Sequence, residues 1–368
     1  MDYKKLSDCA DFRNERTKQI DFETYISTEN ILPNKAGVTI AESLPNAKTT
    51  TKYLPKDILL SNIRPYFKKI WLSNREGGCS NDVLVVTAKP GINPSYLYYV
   101  LSDNNFFNYD TVTAKGTKMP RGTPKAIMKY LVPDVDKEYQ DKIVFILSKY
   151  DSLIEINNKR IKVLEQMAEN LYKEWFVRFR FPGHENAEFE NGIPKGWAIK
   201  KLSEISSFAY GKMPDSAKYV EDGYPIFSGY RITGYYDCYM YDEPMLVLIA
   251  RGVGGTGEVK VSPPFAYITN LAIVFLLFKP KLHLNYLYRL FSIQNLRYLD
   301  TGAAQSQITI ENLKNVRVII PPEEHLIEYN TKAEMIKRQI DAITKTNDNL
   351  IKQRDLLLPR LMSGKLEV

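Results

Sequence analysis

Cysteine is scarce in this chain. Three are spread over 368 residues (Cys9, Cys79 and Cys238), none close to another. That excludes a disulfide framework and points to a reducing compartment, so a cytoplasmic protein is expected. Long apolar runs are missing as well. The longest, Leu271 to Phe278, suffices only for a buried strand and falls far short of the ~18 residues a membrane-spanning helix needs. The opening MDYKKLSDCADF lacks the apolar centre of a signal peptide. Histidine is rare too: His184, His283 and His325 share no ligand spacing with one another or with the cysteines, so neither a metal site nor a Cys–His dyad is expected. No GxxxxGK[ST] occurs, which removes a phosphate-cradling loop of the nucleotide-hydrolase kind. What remains is an ordinary soluble balance, 44% apolar and 25% charged. Fifty basic against 43 acidic side chains give a net charge of +7, compatible with a polyanionic partner.

Sliding the sequence against itself uncovers a duplication. KKLSD at Lys4 to Asp8 returns as KKLSE at Lys200 to Glu204, and SYLYYVLS from Ser95 returns as NYLYRLFS from Asn285. KGTKMP around Gly116 matches TGAAQS around Gly302, and YLVP ending at Pro133 matches RVIIPP ending at Pro322. YDSLIEINNKRIKVLE from Tyr150 matches IDAITKTNDNLIKQRD from Ile340. The landmarks keep their order at a spacing of about 190 residues, too long for a solenoid unit. Each copy is therefore a domain followed by a connector.

Within each copy the texture changes. Residues 1–133 and 183–320 are rich in tyrosine, proline and glycine, with short apolar runs such as Ile58–Ser61, Val83–Thr87, Met245–Ala250 and Ala272–Phe278. That predicts strands with long loops and an occasional helix (Tyr96–Leu101, Tyr286–Phe291), an α/β or α+β domain. Residues 134–182 and 321–368 hold connectors with a 3.5-residue apolar period. In the first, Ile143, Leu147, Tyr150, Ile154, Asn157, Ile161, Leu164, Ala168, Leu171 and Trp175 step by three and four; in the second, Ala333, Ile336, Ile340, Ile343, Asn347, Leu350, Arg354, Leu357 and Leu361 do the same. Two matched helices of this kind are expected to pack antiparallel, each ~57 Å long at 1.5 Å per residue. Asn157 and Asn347 occupy equivalent seam positions. A lone asparagine there sets register at some cost in stability, and the two amides are expected to face each other.

Three stretches resemble catalytic patterns. Ser262-Pro263-Pro264-Phe265 has the form of a tetrapeptide with which amino-methyltransferases hold a flipped adenine, and Gly252 to Gly257 follows an apolar strand as a cofactor turn does. Such a turn needs a following helix and an acidic residue ~20 positions on. Here EVKVS and two prolines leave no room for a helix, so a strand-to-strand loop is expected instead. Asp134, Asp136 and Glu138 lie at a helix start, where acidic side chains cap and complement the dipole rather than bind a nuclease metal. No self-contained active site is legible.

From Asp151 onward the chain resembles the central connector of type I restriction–modification specificity (S) subunits. The likeness rests on Trp175-Phe176, Phe179 and Phe181-Pro182-Gly183 ending a long helix, then on Gly192, Pro194 and Gly196-Trp197 leading into the next domain. Leu357 to Leu366 is similar to the family's LLP-x-L-x-SG-x-(L/I) ending. The first copy departs from the pattern by starting at Lys4 without a P-x-GW approach. The resemblance implies two target-recognition domains (1–133 and 183–320), each reading half of a split DNA sequence. It also implies two long antiparallel spacer helices (134–182 and 321–368) and an internal pseudo-twofold repeat. The family's S subunits are non-catalytic. They assemble with two modification (adenine methyltransferase) subunits and with restriction (translocase and nuclease) subunits, and S-adenosylmethionine and ATP belong to those partners. No cofactor or metal is expected on this chain. The alternatives are a stand-alone methyltransferase using Gly252 to Gly257 and Ser262 to Phe265, or a coiled-coil scaffold without a DNA role.

For base and phosphate contacts, the richest candidates are basic or amide side chains among glycines and prolines. These are Lys115, Lys118 and Arg121 in AKGTKMPRG, with Gln305 and Gln307 in its repeat mate. Arg64, Lys68 and Lys69 follow a strand, with Arg251 as their rough counterpart. Lys212, Tyr230 and Arg231 form an aromatic and basic set in the second domain. The aromatic run at Trp175, Phe176 and Phe179, with Leu361 on the last helix, is expected to serve partly domain packing and partly docking of partner subunits.

Overall fold

The computed structural model describes residues 2–18, 20–252, 255–300 and 306–363. Its contacts form two compact units, Met1–Asn158 with Thr344–Val368, and Lys159–Ile343. The division passes through the middle of both long helices rather than at the ends of the four segments expected above. Each unit thus holds one of the duplicated domains and part of each helix.

In the first unit the expected strands form a four-stranded antiparallel sheet in the order Ala10–Phe12, Val83–Ala88, Ile58–Ser61, Ile70–Leu72. Val86 and Ile58 face each other in the ladder, and both are fully buried. The helix Pro94–Ser102 packs on this sheet, its N-terminus capped by the Asn93 side chain and opened by a proline that needs no hydrogen-bond partner there. A second sheet is made of pieces too short to show a period: Arg16–Thr17, Thr50–Tyr53, Gly77–Cys79 and Tyr25–Ile26, the last pair parallel. Asp2–Lys5 and Leu131–Asp134 close the domain as a two-stranded ribbon.

The second unit repeats this plan strand for strand. Its first sheet runs Ser206–Tyr210, Ala272–Leu277, Leu246–Ile249, Val259–Val261. Its second runs Tyr219–Val220, Ile232–Tyr236, Tyr224–Phe227, Tyr267–Ile268, again ending on a parallel pair. Ala198–Lys201 with Arg317–Ile320 is the ribbon. Even single hydrogen bonds recur: Tyr96 donates to the Pro133 carbonyl and Tyr286 to that of Ile319, equivalent positions in the two ribbons. The duplication is therefore one of fold, not only of motifs.

The two long helices run Lys137–Tyr172 and Glu323–Met362. Within the first unit they are antiparallel: Asn157 lies beside Asn347, Asp151 beside Arg354, and Tyr139 beside Leu361. Within the second, Tyr172 meets Tyr329 in the same sense. The expected amide pairing is present. Asn157 Nδ2 donates to Asn347 Oδ1 at 2.8 Å, and Asn347 Nδ2 donates on to Asn158 Oδ1 at 2.9 Å. Replacing Asn347 alone by leucine leaves two amides without partners and should cost about 1–2 kcal/mol. Leucine at both Asn157 and Asn347 should recover that loss while relaxing register. Urea midpoints of the two variants check this, and a double variant no more stable than the single one would refute it.

Among the described residues no helix is long and apolar enough to cross a membrane.

Candidate functional site

In each unit the strand that carries the densest apolar run ends in a loop, and that loop meets another loop from about sixty residues further along. In the first unit the strand Ile58–Ser61 leads to Asn62, Ile63 and Arg64. Ile63 is bridged to Arg121, the Arg64 amide donates to the Pro120 carbonyl at 2.8 Å, and the Gly122 amide donates to the Asn62 carbonyl at 3.0 Å. The 115–121 loop is closed on itself by two 2.9 Å hydrogen bonds between Lys115 and Arg121. Gly116, with φ of 98°, makes the turn that an L side chain rarely adopts. Two basic segments far apart in sequence, Arg64 and Lys115–Arg121, thus form one edge on which Lys115, Lys118 and Arg121 are exposed.

The second unit places its counterparts likewise. Arg251, just past the strand Leu246–Ile249, is bridged to Gln307, and the Ile308 amide donates to the Ala250 carbonyl. Tyr230 comes from the turn between Tyr224–Phe227 and Ile232–Tyr236 and lies against the glycine loop. A Cβ on Gly255 would fall 2.2 Å from its ring, and one on Gly252 2.9 Å from its hydroxyl. The glycines join strand Leu246–Ile249 to strand Val259–Val261, the strand-to-strand loop expected, and the space they leave is taken by a tyrosine ring. No helix follows them, so the loop does not have the form of a cofactor cradle. Lys212 sits at the same end of the sheet, past Tyr210, its amide donating to Ile268. Arg231 is exposed in the turn beside Tyr230. Gln305 lies outside the described residues.

Not every candidate side chain remains available. Lys69 is half-buried and donates to the Thr28 carbonyl at 2.5 Å, and burial lowers its pKa. Lys68 donates to Asn104 Oδ1 at 2.7 Å and has a left-handed φ of 52°. Both hold the loop to its neighbours. Arg121 shares its charge with Asp82 at 3.0 Å. The aromatic run is different again. Trp175 and Phe176 are each only 6% exposed, packed against Tyr172, Tyr286, Tyr329 and Trp197, and Phe179 lies edge-on to Trp197 and Phe189. Leu361 is fully buried in the first unit. Packing uses up these side chains and leaves little for a partner. The cause is long-range: rings from three elements far apart in sequence converge where the long helix widens into an i→i+5 turn, Arg178 amide to Lys173 carbonyl.

The residues that sequence reasoning missed lie behind the loops. Asp110 is fully buried with neither carboxylate oxygen bonded, and Asn62 Oδ1 and Arg64 Nε are also buried without partners. Asp110 Oδ1 and Asn62 Oδ1 crowd Gly122, where a Cβ would meet them at 2.6 and 2.8 Å. Burial alone pushes the Asp110 carboxyl up to about 6. In the second unit Asp300 occupies the corresponding place and accepts from the Gln307 amide at 2.8 Å and from the Ser306 hydroxyl. The signal was present: Asp-Thr stands before both loops, at Asp110 and Asp300. Among the described residues no group of His, Cys, Asp or Glu could hold a metal ion.

Comparison with known proteins adds a consistent picture. The profile of the type I restriction modification DNA specificity domain matches residues 4–166 and again 194–353. The type I restriction enzyme MjaIX specificity subunit of Methanocaldococcus jannaschii is 27% identical over 77% of this chain and 71% of its own length. The HindI specificity subunit of Haemophilus influenzae is 22% identical over 99% of this chain and the whole of its own. A crystal structure of the type I restriction–modification S subunit from M. genitalium superposes with a TM-score of 0.59 at 13% identity, covering 98% of this chain and 95% of that one, a likeness of fold.

Proposed function

The chain belongs to the type I restriction–modification DNA specificity family, and on that premise we propose that it is the DNA-reading subunit of such an enzyme, each unit addressing one half of a bipartite target. One observation carries the reading. The same fold occurs twice, and each copy brings a basic residue after its central strand to a loop from the repeat-equivalent place: Arg64 to Arg121, and Arg251 to Gln307. Arginine forks guanine or phosphate, and glutamine forks adenine, so the two edges differ in what they select while sharing one scaffold. Asp300 orients the Gln307 backbone and so sets where that amide points.

The subunit performs no bond-making step itself. Methyl transfer with S-adenosylmethionine and ATP-driven translocation and cleavage fall to two modification subunits and to restriction subunits, in the cytoplasm with the DNA. The long helices act as the spacer between half-sites, because each is continuous and contributes to both units. For docking of the modification subunits, the exposed side of the first long helix replaces the buried aromatic run. Phe145, Leu153 and Ile156 in the first unit, and Val163 and Met167 in the second, recur at helical spacing and are each about half exposed or more. Solvent-facing apolar residues in such number mark an interface.

Exchanging residues 1–133 for another reader should change one half of the methylated sequence and leave the other intact; a change in both would overturn the modular reading. Gln307→Ala should cost the reconstituted complex about 1–3 kcal/mol at one base position of the second half-site alone. Methylation mapping in host DNA reads both outcomes. Binding to duplex DNA should also weaken steeply with added salt, as counterion release requires.

A further inference from the structure

The second sheet of the second unit has two ends of opposite character. At the turn end, where Phe227 pairs with Ile232, stand Tyr230 and Arg231. At the other end, where Tyr224 pairs with Tyr236, three exposed rings cluster: Tyr224 and Tyr239 with centroids 4.9 Å apart, Tyr239 and Phe265 at 5.3 Å, and Tyr224 and Phe265 at 6.5 Å. Phe265 is 47% exposed and sits at a φ of 52°, a left-handed conformation that a bulky residue adopts only at a cost. The backbone is fixed there by the Tyr241–Ala266 bridge and by the Phe265 amide donating to the Asp242 carbonyl. The SPPF tetrapeptide is thus a turn that tethers the chain at Ser262, whose hydroxyl accepts from the Met245 amide, and turns its last ring outward.

Charge decides what such a face accepts. From Lys218 to Met245 there are five acidic side chains against two basic ones, Lys218 beside Asp237 and Arg231 at the far end, in a protein that is basic overall. Glu221, Asp222, Asp237, Asp242 and Glu243 are all exposed, and none of them forms an ion pair among the described residues. Phosphates are repelled by that rim. A guanidinium or ammonium group is attracted twice, by the carboxylates and by the ring faces.

We propose that this end of the sheet, centred on Tyr224, Tyr239 and Phe265, is a docking surface for an arginine- and lysine-bearing segment of a protein partner, separate from the edge that meets DNA. The test uses the full-length chain and fluorescein-labelled octa-arginine, read by anisotropy at low salt. Tyr239→Ala with Phe265→Ala should weaken peptide binding about ten-fold, consistent with loss of ring–cation contacts. Asp242→Lys with Glu243→Lys, both at the surface, should weaken it at least as much without disturbing the fold, while Phe145→Ala leaves it unchanged. Equal affinity in wild type and both double variants would overturn the proposal. So would a loss of duplex-DNA binding by the reconstituted complex in the ring variant, which would make the face a nucleic-acid contact. The proposal stands apart from the reading of half-sites, because Gln307→Ala leaves this surface intact and should not alter peptide binding.

Discussion

Replacing Asp110 by asparagine is expected to stabilise the first unit by about 2–3 kcal/mol at pH 8, by about half of that at pH 5 and by almost nothing at pH 3. The carboxyl is fully buried, neither oxygen has a partner, and burial pushes it up to about 6. An unfolded aspartate titrates near ~3.9, so the folded state holds the proton more tightly. The group's contribution is complete below pH ~4 and is lost as pH rises through about 6. Above that, a buried charge without compensation costs about 3 kcal/mol, from ~1.4 kcal/mol per pKa unit. Asparagine carries no charge at any pH, and its amide can donate to Asn62 Oδ1, which borders the same space behind Gly122. Because the chain has two units, a single melting curve mixes them. Amide exchange in the strand Ile58–Ser61 reports on the first unit alone. No pH-dependent gain in that strand would show that the carboxylate is not the burden described. A gain accompanied by altered methylation of one half-site would tie the proton to the reading loop, since Gly122 anchors it to the Asn62 carbonyl.

Arg354→Ala should act in the opposite direction, costing the first unit about 2–4 kcal/mol. Its guanidinium donates to Asp151 Oδ1 at 2.6 Å and to Asp355 Oδ1 at 2.9 and 3.0 Å, with only 15% of the side chain exposed. Asp151 also accepts from Tyr99 at 2.6 Å, and Asp355 from Lys35 at 2.8 Å. The chain of contacts ties the loop that carries Lys35, the Pro94–Ser102 helix and both long helices together. Removing its middle leaves Asp151 partly buried with no cation beside it and Asp355 with Lys35 alone, the expensive way to break such a network. Arg354→Lys keeps the charge and loses the fork, so an intermediate loss is expected. Burial acts to raise the Asp355 carboxyl, but Lys35 and Arg354 together hold it below its ordinary value. Its contribution is present above pH ~4 and fades as pH falls further. With Asp110 destabilising progressively above pH ~4, the two groups together should make the first unit most stable near pH ~4. An Arg354→Ala variant within half a kcal/mol of wild type in the same exchange measurement would show the network to be incidental.

Among the described residues the second unit has no such network. Leu164 stands where the repeat would place Arg354, and the helices there meet through Tyr172, Phe176 and Tyr329. One architecture is therefore held by charge in one copy and by aromatic packing in the other. Neither solution was visible beforehand. Arg354 appeared in the sequence only as an odd member of an apolar stripe, and the aromatic run looked too large to bury.

What the amino-acid order determined unaided was everything with a short period or a repeated landmark. The duplication, the strands at Ile58–Ser61 and Leu246–Ile249, both long helices and the meeting of Asn157 with Asn347 follow from alternation, heptads and the constant offset, since each depends on neighbours within a turn or two. The tertiary structure alone decided which loops meet. It brought Arg64 to Arg121 and Arg251 to Gln307, filled the glycine loop with Tyr230, withdrew Lys69 and Trp175 from the surface, and enclosed Asp110 without a partner. Those outcomes depend on contacts between residues many tens of positions apart, and a loop without periodicity carries no local record of what will be packed against it.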